Sequence, residues 1–373
     1  MPLLWCSISG HGFGHAAQVV PVLNELSRRV PHLKAVLRTT VPRWFFEGRL
    51  RLAWELSPAT QDIGCVQQGP LKIDVEATWA EHARFHAGWE ENVRDEARAI
   101  RSSAPDLVLS DVSHLAIEAA VQAGIPTVGL CNLSWDRVLE LLLAPDEPER
   151  RDQLAVMRQI ERSYGLADLM IRPAPGITLP AFGKVVDVGA IAGTTGSEEP
   201  RLRETLGADP SELVVLIAFG GIALDSLPFD QLERLPGYRF IVSGPTPEGF
   251  QRIRSTVSLP CSFDSLMTSA DIIVSKPGYS TIVETVARSK PLVYVRRYNF
   301  ADEAALVDYV HRYGRAAELT LDDFTTGRWE RALDAALCDS KQSEPPPPAT
   351  GAAEAAALLA SYLRVPESRQ TTS

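Results

Sequence analysis

An apolar strand at residues 3–8 runs directly into the glycine- and histidine-rich segment 9–15, which reads SGHGFGH. Apolar residues then recur at helical spacing from Val19 to Leu26, which predicts an α-helix. A glycine turn between a strand and a helix places bare backbone N–H groups at the open edge of a parallel sheet, where α/β proteins bind ligands. This beginning constrains the chain to an α/β fold with a binding loop at its first turn.

His11 and His15 lie in this segment and add groups that exchange protons near neutral pH. The spacing G-x-G-x-G-H differs from the dinucleotide fingerprint G-x-G-x-x-G, and no acidic residue ends a second strand in the expected place. We therefore do not expect a nicotinamide or flavin site. Gly12 and Gly14 remain candidates for backbone contacts with another ligand.

Short apolar strands alternate with helical patterns along nearly the whole chain, and the pattern restarts after residue 200. Such alternation predicts an α/β protein made of two doubly wound, Rossmann-like parallel sheets that face each other across a cleft. The turn-prone sequence GTTGSEEP and the proline run PPPP mark the boundaries. The expected units are the first domain 1–192, a linker 193–200, the second domain 201–348, a C-terminal helix 349–365 packed back on the first domain, and a disordered tail 366–373.

The composition excludes several functions. The formal net charge of −10 disfavours a nucleic-acid polymer as partner, because a polyanion would be repelled. Five cysteines are widely spaced without a C-x-x-C pair, which is typical of free thiols in a reducing compartment. We expect no signal peptide, no membrane span and a cytoplasmic location.

A second glycine loop follows the strand predicted at 271–274, and it reads Lys276-Pro277-Gly278-Tyr279-Ser280-Thr281. Gly278 allows close backbone approach, Ser280 and Thr281 supply donors at a helix N-terminus, and Lys276 can neutralise a phosphate. The alternative is an ordinary capped helix with Ser280 or Thr281 as the N-cap. We favour binding of a nucleotide sugar, with Pro277 as part of the loop.

Other polar positions follow strands of the same half. Gly220 and Gly221 form either a phosphate-binding turn or a simple tight turn, and Ser243 ends the next strand. Either Arg296 or Arg297 can stabilise a leaving diphosphate, unless the two are a solvated basic pair; Arg296 is our candidate.

Three segments resemble the GT-B glycosyltransferases, near the MurG-type N-acetylglucosaminyltransferases and closer still to the glycosyltransferase-like N-terminal module of plant L-arabinokinases. They are residues 10–16 (GHGFGHA), residues 132–136 (NLSWD) and residues 276–297. The resemblance implies the GT-B fold, a UDP-sugar as donor substrate, and inverting transfer without a metal or other cofactor. It also implies that loop 276–281 holds the diphosphate and that Glu284 holds the ribose. Asp302 and Glu303 would reach the donor sugar, although an acidic pair also suits a helix N-terminus.

Inverting transfer needs a base that takes the acceptor proton. His15 aligns with the histidine in the equivalent loop of many GT-B enzymes, and His11 is the second candidate. Asp111 ends a strand in the same half and is expected to orient a histidine, act as the base itself, or cap the helix that begins near Ser113. We expect His114 to lie on the surface of that helix.

Acceptor contacts are expected from Asn132, Trp135 and Asp136, which follow another strand; an indole beside polar groups is a common sugar platform, although buried packing is the commoner use. His82 and His86 stand four residues apart on a helix, as metal ligands can, but a third ligand is missing from the pattern. We prefer a packed or acceptor-facing helix there and expect no metal site.

Two other functions remain open for this sequence. One is a GT-B-fold epimerase or hydrolase of a nucleotide sugar, and the other is a non-catalytic module that binds a sugar nucleotide. The acceptor of a transferase could be a small molecule or a protein side chain, because the loops of the first half are idiosyncratic.

Overall fold

The computed structural model describes residues 1–221, 227–338 and 344–363. The tail expected at 366–373 and the last two residues of the expected C-terminal helix lie outside these ranges.

The first half of the chain forms a seven-stranded parallel sheet in the order β3-β2-β1-β6-β7-β8-β9, beside a small two-stranded antiparallel ribbon. Its strands are β1 Leu3–Ile8, β2 Lys34–Arg38, β3 Ala53–Ser57, β4 Gln67–Gln68, β5 Lys72–Ile73, β6 Leu107–Asp111, β7 Thr127–Leu130, β8 Leu169–Pro173 and β9 Val185–Val188. Its helices are α1 Gly14–Arg29, α2 Arg43–Phe46, α3 Val75–Ala87, α4 Trp89–Ser103, α5 His114–Ala123, α6 Trp135–Glu140 and α7 Glu149–Tyr164.

The second half forms a six-stranded parallel sheet in the order β12-β11-β10-β13-β14-β15. Its strands are β10 Leu213–Ile217, β11 Tyr238–Val242, β12 Ile253–Ser255, β13 Ile272–Ser275, β14 Leu292–Tyr294 and β15 Ala316–Glu318. Its helices are α8 Glu199–Leu206, α9 Phe229–Glu233, α10 Phe263–Ser269, α11 Tyr279–Ala287, α12 Glu303–Tyr313, α13 Leu321–Thr326 and α14 Glu330–Cys338, with a 3₁₀ turn at Thr256–Ser258.

The central strands of both sheets are apolar on both faces because helices cover each face. Strands β6 and β7 are buried along their whole length, as are residues 214–217 of β10. Continuous apolar runs of this kind are typical of parallel strands. The prediction of two parallel α/β sheets is therefore confirmed.

Each sheet has a point at which the strand order reverses, between β1 and β6 in the first sheet and between β10 and β13 in the second. At these points Ile8 pairs with Asp111, and Ile217 pairs with Val274. Ligands of open α/β sheets bind outside the carboxyl ends of the strands at such points. The loops that follow β1 and β10 therefore occupy the positions where a ligand is expected.

Helix α15, Gly351–Leu363, packs against α1 and β9 of the first half. The Gly351 amide donates to the Ala190 carbonyl at 3.0 Å, and Glu354 accepts from the Gly189 amide at 2.8 Å. In the described part of the chain, no helix combines the length and the apolar character needed to cross a membrane.

Candidate functional site

The first glycine loop, residues 9–15, meets the turn Gly220-Gly221 where the halves face each other. The Phe13 amide donates to the Gly220 carbonyl at 3.3 Å, and Gly12, Gly220 and Gly221 have φ values of +77°, +71° and +80°. A Cβ on Gly221 would lie 2.3 Å from the Phe13 ring, so any larger residue would push the loops apart. Lys276 lies beside Gly220, and its Cε is 3.5 Å from the position that a Cβ on Gly220 would take.

His15 and Asp111 form a hydrogen-bonded pair at the switch point of the first sheet. His15 Nδ1 lies 3.0 Å from Asp111 Oδ1, and Asp111 Oδ2 accepts from the Ser9 amide at 3.2 Å. The Asp111 side chain is fully buried, whereas 11% of the His15 side chain is exposed. Ser113 caps α5 by accepting from the Ala116 amide, so the interpretation of Asp111 as the cap is wrong. Its observed partner is the histidine.

The two histidines of the loop have opposite electrostatics. Burial disfavours the charge on His15, but the Asp111 carboxylate outweighs it and raises the pKa of His15 well above 6.5. Burial lowers the pKa of His11 to about 3, assisted by the positive charges of His15, Lys276 and Arg297. His15 is thus a strong base, whereas His11 is a neutral ring packed edge-on against Trp135 at 5.4 Å.

Two neighbours of this pair carried no sequence signal. Asp62 comes from an irregular loop, and its Oδ1 accepts from Ser9 Oγ at 2.9 Å. Burial raises the pKa of Asp62 to about 6, and its Oδ2 has no hydrogen-bond partner in the described structure. Cys131 follows β7 directly and is fully buried. Loop conformation brings both to the pair, and spacing along the chain does not reveal that.

The second half contributes a buried cationic cluster. Arg297 Nη2 donates to the Pro277 carbonyl at 2.7 Å, and Nε donates to Glu303 at 3.2 Å. Its guanidinium carbon lies 3.7 Å from the centre of the Phe300 ring. Burial, and then the Arg297 charge, lower the pKa of Lys276 to about 7. A lysine that is this close to neutral and faces the cleft is ready to gain charge when an anion arrives.

Of the two adjacent arginines, Arg297 and not Arg296 lies beside Lys276. Arg296 pairs with Glu318 at 3.0 Å, at the edge strand β15. The two arginines lie beyond the end of β14, and Arg297 is buried against Pro277 and Glu303 whereas Arg296 is partly exposed. The sequence favoured Arg296 as the diphosphate-stabilising residue, but Arg297 is the arginine that lies beside Lys276.

The loop 276–281 begins its helix earlier than the capped-helix alternative requires. Gly278 is the N-cap of α11, so Ser280 and Thr281 lie inside the first turn. Ser280 Oγ donates to the Gly14 carbonyl at 3.0 Å, which joins the two glycine loops. Ser243 follows β11, where its amide donates to the Ile217 carbonyl at 2.9 Å.

Glu284 lies on α11 and ties the linker to the second half. Its carboxylate accepts from the Gly193 amide and from Arg288 Nε at 2.7 Å. Burial raises the pKa of Glu284. The sequence did not predict that Glu284 would bind the linker and Arg288. Each carboxylate oxygen can still accept one further hydrogen bond, which leaves room for a ligand hydroxyl.

The three proposed acceptor residues occupy different places. Asn132 Nδ2 donates to Asp302 Oδ2 across the cleft at 3.1 Å. Trp135 is 1% exposed and packs beneath His11 and His15, so it is no open platform. Asp136 is also buried and lines a surface groove with Arg158 and Arg162, and burial raises its pKa. The structure thus brings Asn132 alone of the three into contact with Asp302 of the second half.

The histidines of α3 pack in a cluster with other aromatic rings and with His114 of α5. His86, His114 and Trp89 stack nearly parallel, with ring centres 5.0–5.2 Å apart, and His82 lies next to His86 at 5.8 Å. The expectation that His114 lies on the surface is wrong, because its side chain is fully buried. The helix is packed, which is the interpretation favoured for His82 and His86.

This cluster of buried histidines predicts loss of stability in acid. Burial lowers the pKa of His82 to about 4 and that of His114 well below 6.5, so the unfolded chain binds more protons. The free energy of unfolding has its full value above pH 6.5. It falls as the pH drops toward 4, by about 3 kcal/mol for the protonation of His82 alone. Urea unfolding between pH 7 and 4 measures this. His114→Phe, which keeps the stacking, should flatten the decline; His32→Asn at an exposed site should not. Equal slopes in both variants would contradict the assignment.

No protein-family model matches the chain. It is 27% identical over 344 residues to an L-arabinokinase from Arabidopsis thaliana, a match that covers 88% of this chain and 32% of that protein. The chain thus spans about a third of the length of that relative.

Solved glycosyltransferase structures are similar over nearly the whole chain. They include the glycotransferase of kitacinnamycin (17% identity, TM-score 0.64, 97% of this chain and 100% of that one) and CalG4, the calicheamicin glycosyltransferase (16%, 0.60, 100% of both). A third is Phytolacca americana UGT2 complexed with UDP-2fluoro-glucose and pterostilbene (16%, 0.59, 97% and 99%). The chain therefore has the GT-B fold of glycosyltransferases, as its sequence motifs implied.

Proposed function

We propose that this protein is a glycosyltransferase that moves a sugar from a nucleotide-diphosphate sugar to an acceptor hydroxyl or amine. One observation carries the proposal: a buried His15–Asp111 pair from the first half lies across the cleft from the cations Lys276 and Arg297 of the second half. A base and an anion-binding cluster at one cleft are the two elements that glycosyl transfer requires.

The proposed donor is a UDP-sugar. Its diphosphate would lie against Lys276 and the N-terminal turn of α11, whose amide groups and dipole favour an anion. Glu284 would accept from ribose hydroxyls with its remaining lone pairs, and Asp302 and Glu303 would lie near the sugar. UGT2, which has the same fold, was crystallised with UDP-2fluoro-glucose, and that donor class is the one we transfer to this chain.

The proposed reaction is an inverting displacement. The acceptor oxygen attacks the anomeric carbon while the bond from that carbon to the diphosphate oxygen breaks. The deprotonated form of His15, which increases as the pH rises toward its raised pKa, takes the acceptor proton, and Asp111 holds the ring through Nδ1 and stabilises the imidazolium that forms. Lys276 and Arg297 stabilise the negative charge on the leaving diphosphate. In this proposed mechanism, these residues supply the charge stabilisation and the proton transfer, and no step uses a metal ion.

Lys276 makes donor affinity depend on pH. Its charge is present below its pKa of about 7 and is lost above it, so affinity for a nucleotide sugar should weaken about 10- to 100-fold at high pH. The two phosphates of a nucleotide sugar keep the same charge between pH 6 and 9, so they do not contribute to this pH dependence. Calorimetric titration from pH 6 to 9 measures this. Lys276→Arg keeps the charge and should flatten the curve; parallel curves for both proteins would refute the role of Lys276.

The activity itself is tested by incubating the protein with a panel of nucleotide sugars and a mixture of small-molecule acceptors. Release of one nucleoside diphosphate together with a glycosylated product supports transfer. An altered nucleotide sugar that forms without any acceptor indicates an epimerase, and free sugar alone indicates a hydrolase. Tight donor binding without any product favours the non-catalytic module.

A further inference from the structure

His15, Asp111 and Cys131 bring an imidazole, a carboxylate and a thiol together. One ligand atom from each lies within 4.8 Å of the other two, and these residues form the one such group of three among those that the structure describes. Asp111 and Cys131 are fully buried, and His15 reaches solvent with 11% of its side chain. Of the three side chains, His15 is therefore the one in contact with solvent.

This donor set suits a borderline-soft divalent cation. Zn²⁺ binds imidazole nitrogen, thiolate sulfur and carboxylate oxygen, and sites with three protein ligands keep an open fourth position. One carboxylate and one thiolate also neutralise the two positive charges, which favours the ion in a buried site. Harder ions such as Mg²⁺ prefer all-oxygen ligands and do not match the thiolate.

The three side chains stand on firmly held backbone. Asp111 is the last residue of β6, and its side chain accepts from the Ser9 amide just after the neighbouring strand β1. Cys131 follows β7, and its amide donates to the Ile171 carbonyl of β8 at 3.2 Å. His15 is in the first turn of α1. Ligands on adjacent strands and a helix turn lose little freedom on binding, which strengthens a site.

We propose that His15, Asp111 and Cys131 bind Zn²⁺ and that the bound ion inhibits the enzyme by occupying the base. The ion takes the place of the proton that His15 shares with Asp111, and it also displaces the thiol proton of Cys131. With His15 starting as the imidazolium, two protons leave for each ion bound, and three bonds form, to the His15 nitrogen, the Cys131 sulfur and an Asp111 oxygen, with no change in oxidation state. Binding does not depend on the proposed transferase function, whereas inhibition does.

Co²⁺ is the probe for this site, since it takes zinc ligands and gives a near-ultraviolet charge-transfer band when a thiolate binds. We expect the full chain to show this band at one ion per chain and to lose it on addition of Zn²⁺. Cys131→Ser should abolish the band. The exposed Cys338→Ser should leave it unchanged.

A band that survives Cys131→Ser, or that disappears in Cys338→Ser, overturns the proposal, as does a wild-type protein without a band. If Cys131→Ser does not fold, His15→Gln replaces it and should weaken Co²⁺ affinity by more than about tenfold. Proton release in a weakly buffered titration is a second readout, with two protons per ion expected. A band in a protein whose metal-free form shows no transferase activity would leave this site standing and refute the proposed function. Transferase activity of the metal-free protein that Zn²⁺ at one ion per chain does not reduce would overturn the inhibition.

Discussion

Replacing His15 by alanine should reduce turnover by about 10²- to 10⁴-fold while the dissociation constant for the donor stays nearly the same. The reason is that His15, which contacts Asp111, takes the acceptor proton in the proposed mechanism, whereas the proposed donor contacts come from Lys276 and Arg297. Steady-state release of the nucleoside diphosphate and calorimetric donor binding measure the two effects separately.

Two variants control this experiment. Asp111→Asn keeps the size of the side chain but removes the charge that raises the pKa of His15. It should therefore lower turnover and shift the acid limb of the pH–rate profile to lower pH. His32→Asn changes an exposed histidine and should leave turnover unaltered. Unchanged turnover in His15→Ala would remove this residue from the proposed mechanism.

Replacing Arg297 by alanine should destabilise the fold by about 3–5 kcal/mol and abolish measurable donor binding. The Arg297 side chain is 6% exposed, and its guanidinium compensates the buried Glu303 carboxylate at 3.2 Å. Without it, Glu303 keeps hydrogen bonds from backbone amides but loses its counter-ion. Urea unfolding measures the first effect, and calorimetry at a temperature where the variant is folded measures the second.

The neighbouring Arg296 provides a matched control, because the same substitution there removes a partly exposed pair with Glu318. Surface pairs contribute about 0–1 kcal/mol, so Arg296→Ala should retain stability and donor binding. Equal effects of both substitutions would show that the choice of Arg297 is wrong.

The sequence predicted the fold well because parallel strands buried on both faces read as uninterrupted apolar runs. It also placed His15 and Asp111 in one half, since both follow strands whose carboxyl ends lie at the same edge. Their 3.0 Å contact depends on the pairing of β1 with β6, which the sequence does not contain.

The remaining errors have physical causes. Arg296 and Arg297 are adjacent residues beyond the end of β14, and the path of the backbone there, which the sequence does not show, decides which of them lies beside Lys276. His114 is the first residue of α5, directly after the cap Ser113, and the pattern of apolar residues along a helix does not predict whether a side chain at that position is buried. Asp62 reaches the pair through an irregular loop, whose path depends on tertiary contacts. Side-chain direction at element ends was thus the information that the sequence lacked.

The most direct test of the central claim is a thermal-shift measurement with UDP, dTDP, GDP, ADP, NAD and several UDP-sugars. The account predicts that one nucleoside diphosphate and its sugars raise the melting temperature of the wild-type protein and of His15→Ala, but not of Lys276→Ala. Stabilisation by none of them, or equal stabilisation of Lys276→Ala, would contradict a nucleotide-sugar site at the meeting point of the two glycine loops.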